Sequence, residues 1–322
     1  MRIIIRCDIG GPHGMGHAVR MRALARALAA QGVDVVFQTS TPMLASFVTP
    51  FSCIDLPGYF PSNIDVLIID TKAYISEAWF YEWRSLRQCK VVRIDHPHAE
   101  PGTCDLLVAP VAHWHHAVVQ RLLEGFGERF LYGWDYVMLN EEVTRREPIP
   151  YEMREDNIIL CAGGSDPDNI LQKMWDWTVE ADILPGIPLG FCYGKYVPPE
   201  RQPKKSTVPH RYVVPFETRG LAHAKMTVGL FGVTPYECLW YKTPMLMMAH
   251  TEENCEGAWN LALASNWACR WLGPIQAMNA KHFKMTLESF WFESYRVEMN
   301  RATHNLLDGR GIERIADAIL AL

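Results

Sequence analysis

Three short segments carry residue types that could do chemistry together. The first is Gly10-Gly11-Pro12-His13-Gly14-Met15-Gly16-His17. Glycines such as Gly14 and Gly16 let a backbone approach a ligand closely, and a helix opening just after them offers its N–H groups to an anion. His17 stands at that opening. A neutral imidazole there can take a proton from an incoming hydroxyl; the plainer role is to cap a turn. A dinucleotide fingerprint fits poorly, because a third glycine at the required spacing is missing and the next strand ends at Phe37-Gln38 without an acid.

The second segment is Ala162-Gly163-Gly164-Ser165-Asp166-Pro167-Asp168-Asn169. It repeats the same device: glycine turn, hydroxyl, helix start. Gly163, Gly164 and Ser165 suit a diphosphate, while the plainer reading is a strand–helix turn capped by Ser or Asp. The third is Gly232-Val233-Thr234-Pro235-Tyr236-Glu237. Pro235 is a natural first-turn residue, and Glu237 can accept hydrogen bonds from a ribose diol or simply favour the positive end of a helix.

Two histidine groups, His96-Pro97-His98 and His113-Trp114-His115-His116, invite a metal reading. Neither has zinc spacing on a helix and no cysteine lies close, so no metal site is expected. Trp114 and Trp134 suit a sugar platform or, more simply, a core. Lys195, Arg201, Lys204, Lys205 and Arg211 read as a solvated loop cluster that could also steer a phosphorylated or nucleic-acid acceptor.

The elements that must position these residues alternate. Apolar runs at 3–5, 33–37, 66–69, 91–94 and 106–109 read as buried parallel strands, the third ending at Asp70. Helices are expected over 17–30, with Met21, Leu24 and Leu28 on one face, and over 76–88 behind an N-cap at Ser76. The pattern breaks at 145–150 (Arg-Arg-Glu-Pro-Ile-Pro) and restarts. Strands at 158–161, 189–193, 212–214, 226–231 and 245–248 follow, with helices from 168 and over 235–240, 254–264 and 311–320. Residues 198–209 read as a surface loop. The expected fold class is α/β: two doubly wound Rossmann-type domains facing each other across a cleft, 1–147 and 148–322, with the last helix packing back on the first.

Composition bounds this reading. The chain has 322 residues, 49% hydrophobic and 21% charged, enough for two cores. The net charge of −5 disfavours a nucleic-acid acceptor. Nine scattered cysteines without a CxxC pair read as reduced, cytoplasmic thiols. No leader peptide or membrane span is expected.

With these segments in order, the chain resembles a known family. Arg6-x-Asp8 followed by Gly14-x-Gly16-His17-x-x-Arg20 resembles the opening of the UDP-sugar hydrolases of the pseudaminic acid pathway, which group with predicted spore-coat polysaccharide glycosyltransferases. Gly163-Gly164-Ser165-Asp166-Pro167 with Asn169 is similar to their second signature, and Thr234 and Glu237 fall where the third would fall. The resemblance implies a GT-B architecture with His17 as general base. It places Gly14, Gly16, Gly163, Gly164, Ser165, Thr234 and Asn254 at the donor, Glu237 on the ribose, and backbone near Val214–Phe216 against the base. It implies no metal and no cofactor beyond the nucleotide-sugar donor itself, since helix starts neutralise the leaving diphosphate.

The chain departs from the family on the sugar side. Glu253-Asn254 stands where the family carries Asn-Gln, and Asp70-Thr71-Lys72 stands where Asp-His-Tyr is usual. The nucleotide machinery is thus kept better than the sugar contacts. The resulting expectation is an inverting, metal-independent glycosyltransferase using a nucleotide-diphosphate sugar, UDP-linked, with an unassigned hydroxyl acceptor. Hydrolysis of a UDP-sugar is the alternative.

Overall fold

A computed structural model describes residues 1–9, 15–54, 63–71, 89–164, 166, 168–203 and 208–322. The expected helix over 76–88, Gly14, Ser165 and the lysines at 204 and 205 lie outside the described residues.

Runs of branched apolar residues form strands buried on both faces. In the first sheet these are β1 (Arg2–Cys7), β2 (Asp34–Gln38), β3 (Ser52–Ile54), β4 (Val66–Asp70), β5 (Lys90–Ile94), β6 (Leu106–Val108) and β7 (Phe130–Leu131). Every pair is parallel and the spatial order is β3-β2-β1-β4-β5-β6-β7. Successive side chains of a strand point to opposite faces. Ile3 and Ile5 therefore meet α1 (Gly16–Ala30) through Met21, Leu24 and Leu28. Ile4 joins Leu67, Val91 and Leu107 on the other face, against Val119, Leu122 and Phe126 of α3 (His116–Phe126). A short helix, α2 (Met43–Phe47), follows β2.

The second sheet contains β8 (Glu155–Cys161), β9 (Leu189–Tyr193), β10 (Arg211–Pro215), β11 (Ala224–Leu230), β12 (Met245–Ala249) and β13 (Cys269–Pro274). It too is wholly parallel, in the order β10-β9-β8-β11-β12-β13. Its helices are α5 (Ile170–Glu180), α6 (Thr218–His223), α7 (Thr234–Trp240), α8 (Glu252–Ala264), α9 (Ala280–Trp291) and α10 (Glu293–Ala302). Ile158, Phe191, Met226 and Leu246 pack with Ile170 and Met174 of α5 and Phe283 of α9. Both sheets are doubly wound: the chain runs outward from the first strand, then returns to lay the fourth beside it.

The chain divides into two compact units, Met1–Glu141 with Gly309–Leu322, and Glu142–Asp308. The expected boundary after residue 147 lies a few residues beyond this division, past the short helix α4 (Glu141–Thr144). The final helix, α11 (Gly311–Leu320), is part of the first unit: Ile315, Ala316 and Ile319 are buried in the same cluster as Leu24 and Leu28. Gly311 permits this docking. A Cβ there would lie 2.2 Å from the carbonyl oxygen of Val137.

Candidate active site

In a doubly wound sheet, ligands gather beyond the carboxyl ends of the strands where the winding reverses. In the first unit that point lies between β1 and β4, whose last residues Cys7 and Asp70 are register partners. A framework of hydrogen bonds fixes it. Asp8, 1% exposed, accepts through Oδ1 from Arg6 Nη1 (3.0 Å), Ser40 N and Ser40 Oγ (both 2.8 Å), and through Oδ2 from Thr71 Oγ1 (2.6 Å). Burial would push the Asp8 carboxyl up, but the Thr71 and Ser40 hydrogen bonds and the Arg6 charge hold it below its ordinary range. One carboxylate thus ties together the ends of β1, β2 and β4.

His17 sits in the first turn of α1, 9% exposed. It does not serve as that helix's cap, which is Met15. Its Nδ1 lies 2.6 Å from Asp70 Oδ1, and Asp70 is fully buried. One turn along, Arg20 grips the same carboxylate with two bonds, Nε to Oδ2 at 2.7 Å and Nη2 to Oδ1 at 2.5 Å. Arg20 Nη2 also reaches Asp95 Oδ2 at 2.9 Å. Burial opposes charge on Asp70, but Arg20 and His17 overcome it and hold the carboxyl down at about 2. Burial acts against the Arg20 charge too, and Asp70 and Asp95 more than restore it. Asp95 is likewise held below its ordinary range by Arg20, against burial and the neighbouring Asp70. Were Nδ1–H donated to Asp70, the ring would present Nε2 with its lone pair, the arrangement of a general base oriented by a carboxylate.

Cys7, beside this cluster, is buried with its thiol pushed up by burial, and so is not nucleophilic.

In the second unit the reversal lies between β8 and β11. The Gly163-Gly164 turn follows β8, and α7 follows β11, so the two segments flagged in the sequence meet at one sheet position. Gly163 has φ +81°, a conformation that suits glycine. The turn is packed from outside: a Cβ on Gly194 would lie 2.4 Å from the carbonyl oxygens of both Gly163 and Gly164, and Tyr196 N donates to Gly164 O at 3.0 Å. Asp166, 2% exposed, accepts from Ile170 N (2.7 Å) and Leu171 N (3.0 Å), so this residue fulfils the plainer capping role.

Thr234 opens α7 and Glu237 lies in its first turn. Glu237 is half-buried, and burial pushes its carboxyl up to about 7. Phe216, just past β10, is half-buried, and its N–H donates to Tyr193 O at 2.8 Å. Asn254 sits in the first turn of α8, where its N–H donates to Thr251 Oγ1 at 3.2 Å. Sequence reasoning had thus singled out both glycine turns and His17. Asp70 was noticed as a strand end and as the first residue of the Asp70-Thr71-Lys72 departure, without a partner, and Asp95 was missed. The available signal was positional: Asp8, Asp70 and Asp95 each close or directly follow an apolar strand.

The other constellations resolve into structure. His115 Nδ1 accepts from Ala117 N at 3.2 Å, capping α3, and no metal-binding group of His, Cys, Asp and Glu occurs among the described residues. Trp114 stacks on Phe130, with centroids 6.0 Å apart, against the first unit's core. Arg211 corrects the surface-cluster expectation: it is buried, and its guanidinium donates to the carbonyls of Ile183, Ile187 and His210. No helix among the described residues is long and apolar enough to cross a membrane.

No family model and no curated protein matches the sequence. Solved structures do. An Arabidopsis thaliana structure, UGT89C1 complexed with UDP, aligns over 99% of this chain and 98% of its own with TM-score 0.69 at 10% identity. MurG of Acinetobacter baumannii aligns over 100% and 99% with TM-score 0.67 at 12% identity. A putative UDP-N-acetylglucosamine 2-epimerase from Listeria monocytogenes aligns over 100% and 96% with TM-score 0.63 at 13% identity. This likeness establishes the fold: like these structures, the chain has the GT-B fold of two doubly wound α/β units.

Proposed function

We propose that the protein transfers a glycosyl group from a nucleotide-diphosphate sugar, with UDP as the nucleotide, to a hydroxyl acceptor with inversion at the anomeric carbon. The observation that carries this reading is the His17–Asp70 pair at 2.6 Å, placed at the winding reversal of the first sheet. Asp70 is a permanent anion that orients the ring and offsets the positive charge it gains. His17 Nε2 takes the acceptor proton as the hydroxyl attacks, through a transition state of oxocarbenium character.

The second unit supplies the donor site. The Gly163-Gly164 turn brings backbone close to the diphosphate, ahead of α5, whose first N–H groups are held by Asp166. Glu237 accepts hydrogen bonds from the ribose hydroxyls, and Thr234 and Asn254 add polar contacts at neighbouring helix starts. A structure of like fold solved with UDP bound supports the choice of nucleotide.

The test is nucleotide release from UDP-, GDP-, dTDP- and CMP-sugars, with and without a panel of hydroxyl acceptors. One donor is expected to turn over, with His17→Ala reducing the rate by about 10²–10⁴-fold. An unchanged rate in His17→Ala would overturn the assignment. Fast, His17-dependent release without acceptor would identify water as the attacking hydroxyl, and the enzyme as a hydrolase.

A further inference from the structure

Arg20 Nη2 has three neighbours within hydrogen-bonding distance: Asp70 Oδ1 at 2.5 Å, Asp95 Oδ2 at 2.9 Å and His17 Nδ1 at 2.8 Å. A guanidinium nitrogen of this kind carries two hydrogens and accepts none. It can therefore serve only two of the three. If both hydrogens go to carboxylates, none is left for His17, and Nδ1 must itself be the donor to Asp70. If one hydrogen goes to Nδ1, that nitrogen is a lone-pair acceptor and the neutral ring's single proton sits on Nε2. Only the first arrangement leaves Nε2 able to receive a proton.

The geometry points to Asp95 as a positioning residue that, by engaging the second Nη2 hydrogen of Arg20, sets the tautomer of His17 and so arms its Nε2 as the base. This rests on the reading of His17 as the base but concerns the ring's protonation pattern, which can be measured without any substrate. Asp70 alone cannot give the same assurance. Its Oδ1 faces both His17 Nδ1 and Arg20 Nη2, and Arg20 would be free to turn its remaining hydrogen onto Nδ1. Asp95 comes from a third strand end, directly after β5, so the base is specified by β4, β5 and α1 together. The change between forms moves one proton from Nδ1 to Nε2 through solvent and alters no other bond.

The experiment uses full-length protein with ¹⁵N-labelled histidine, read by ¹H–¹⁵N correlation at about pH 9, where an ordinary imidazole is neutral. His17→Gln assigns the signal. Wild type is expected to show a protonated Nδ1 and a lone pair on Nε2. Asp95→Gly removes the acceptor at a backbone position (φ 59°) that glycine adopts without strain, and is expected to move the proton to Nε2. Adding Arg20→Met to Asp95→Gly removes the competing donor and is expected to restore the Nδ1–H form, a rescue that a merely structural defect would not show. Should Asp95→Gly fail to fold, Asp95→Ser, too short to span the distance to Arg20, carries the same comparison.

A wild-type ring protonated on Nε2, an unmoved proton in the Asp95 variant, or no restoration in the double variant would each overturn the proposal. The function reading fails separately, if His17→Ala turns over donor as fast as wild type.

Discussion

At the scale of single residues, the molecule treats its buried carboxylates in two ways. Asp70 has a guanidinium and an imidazole against it and stays ionised, whereas Glu237 is pushed up to about 7 by burial. A raised carboxyl keeps its proton in the folded state after the unfolded chain has lost it. Its favourable contribution is whole below the ordinary glutamate value and is lost as pH rises through about 7. Glu237→Gln cannot ionise. Its melting temperature is therefore expected to match wild type near pH 4 and to exceed it at pH 8. On the proposal that Glu237 accepts from the ribose hydroxyls, UDP is expected to bind wild type more tightly as pH rises through 7, while the variant's affinity stays flat. Parallel melting curves at the two pH values would refute the burial argument.

The residue scale also shows what the sequence could reveal. His17 was legible because a glycine turn before a helix is a local pattern. The Asp70 and Asp95 partnership was not, because it spans dozens of residues and depends on which strands are neighbours. Asp166 was legible only as a pair of alternatives, and its bonds to Ile170 N and Leu171 N decide for the cap.

At the scale of elements, strands buried on both faces were easily read, since their apolar runs are continuous. β1 and β4 fall where expected within a residue or two, and β8 begins three residues earlier than expected. Among the elements that escaped were β3, β7 and β13 at the sheet margins, the short helices α2, α4 and α6, and helices α3, α9 and α10, whose half-exposed faces mix polar and apolar residues. Packing between elements makes a further prediction. The end of β9 lies against the Gly163-Gly164 turn so closely that Gly194→Ala must displace it. The substitution is expected to cost about 1–3 kcal/mol of stability, as overpacking does, and to weaken UDP binding. It should leave the ¹⁵N signal of His17 unchanged. Denaturant unfolding and calorimetry would check both, and undiminished UDP affinity would separate this turn from the donor site.

At the scale of the whole molecule, the second unit is one continuous stretch of chain and the first is not. The first is completed only by Gly309–Leu322, whose helix α11 covers α1. Ending the chain at Asp308 would uncover the face of α1 that carries Leu24 and Leu28 and forfeit the burial of Ile315 and Ile319. At about 1.5–3 kcal/mol for each buried isoleucine, the loss is expected to unfold or severely destabilise the first unit while the second keeps its own melting transition. Differential scanning calorimetry would resolve the two, and an unaltered first transition would show that α11 is dispensable.

This threading has a consequence for how the protein is made. Domains ordinarily fold in the order in which they leave the ribosome, the amino-terminal one first. Here the first unit waits for Gly309–Leu322, which leave the ribosome after all of the second unit, so the second can fold before it. During that interval His17, the proposed base, has its strands but not its finished support. On the proposed function, a chain still being made would acquire nucleotide binding before catalysis, and only a copy extended through Gly309–Leu322 would act on the donor it holds.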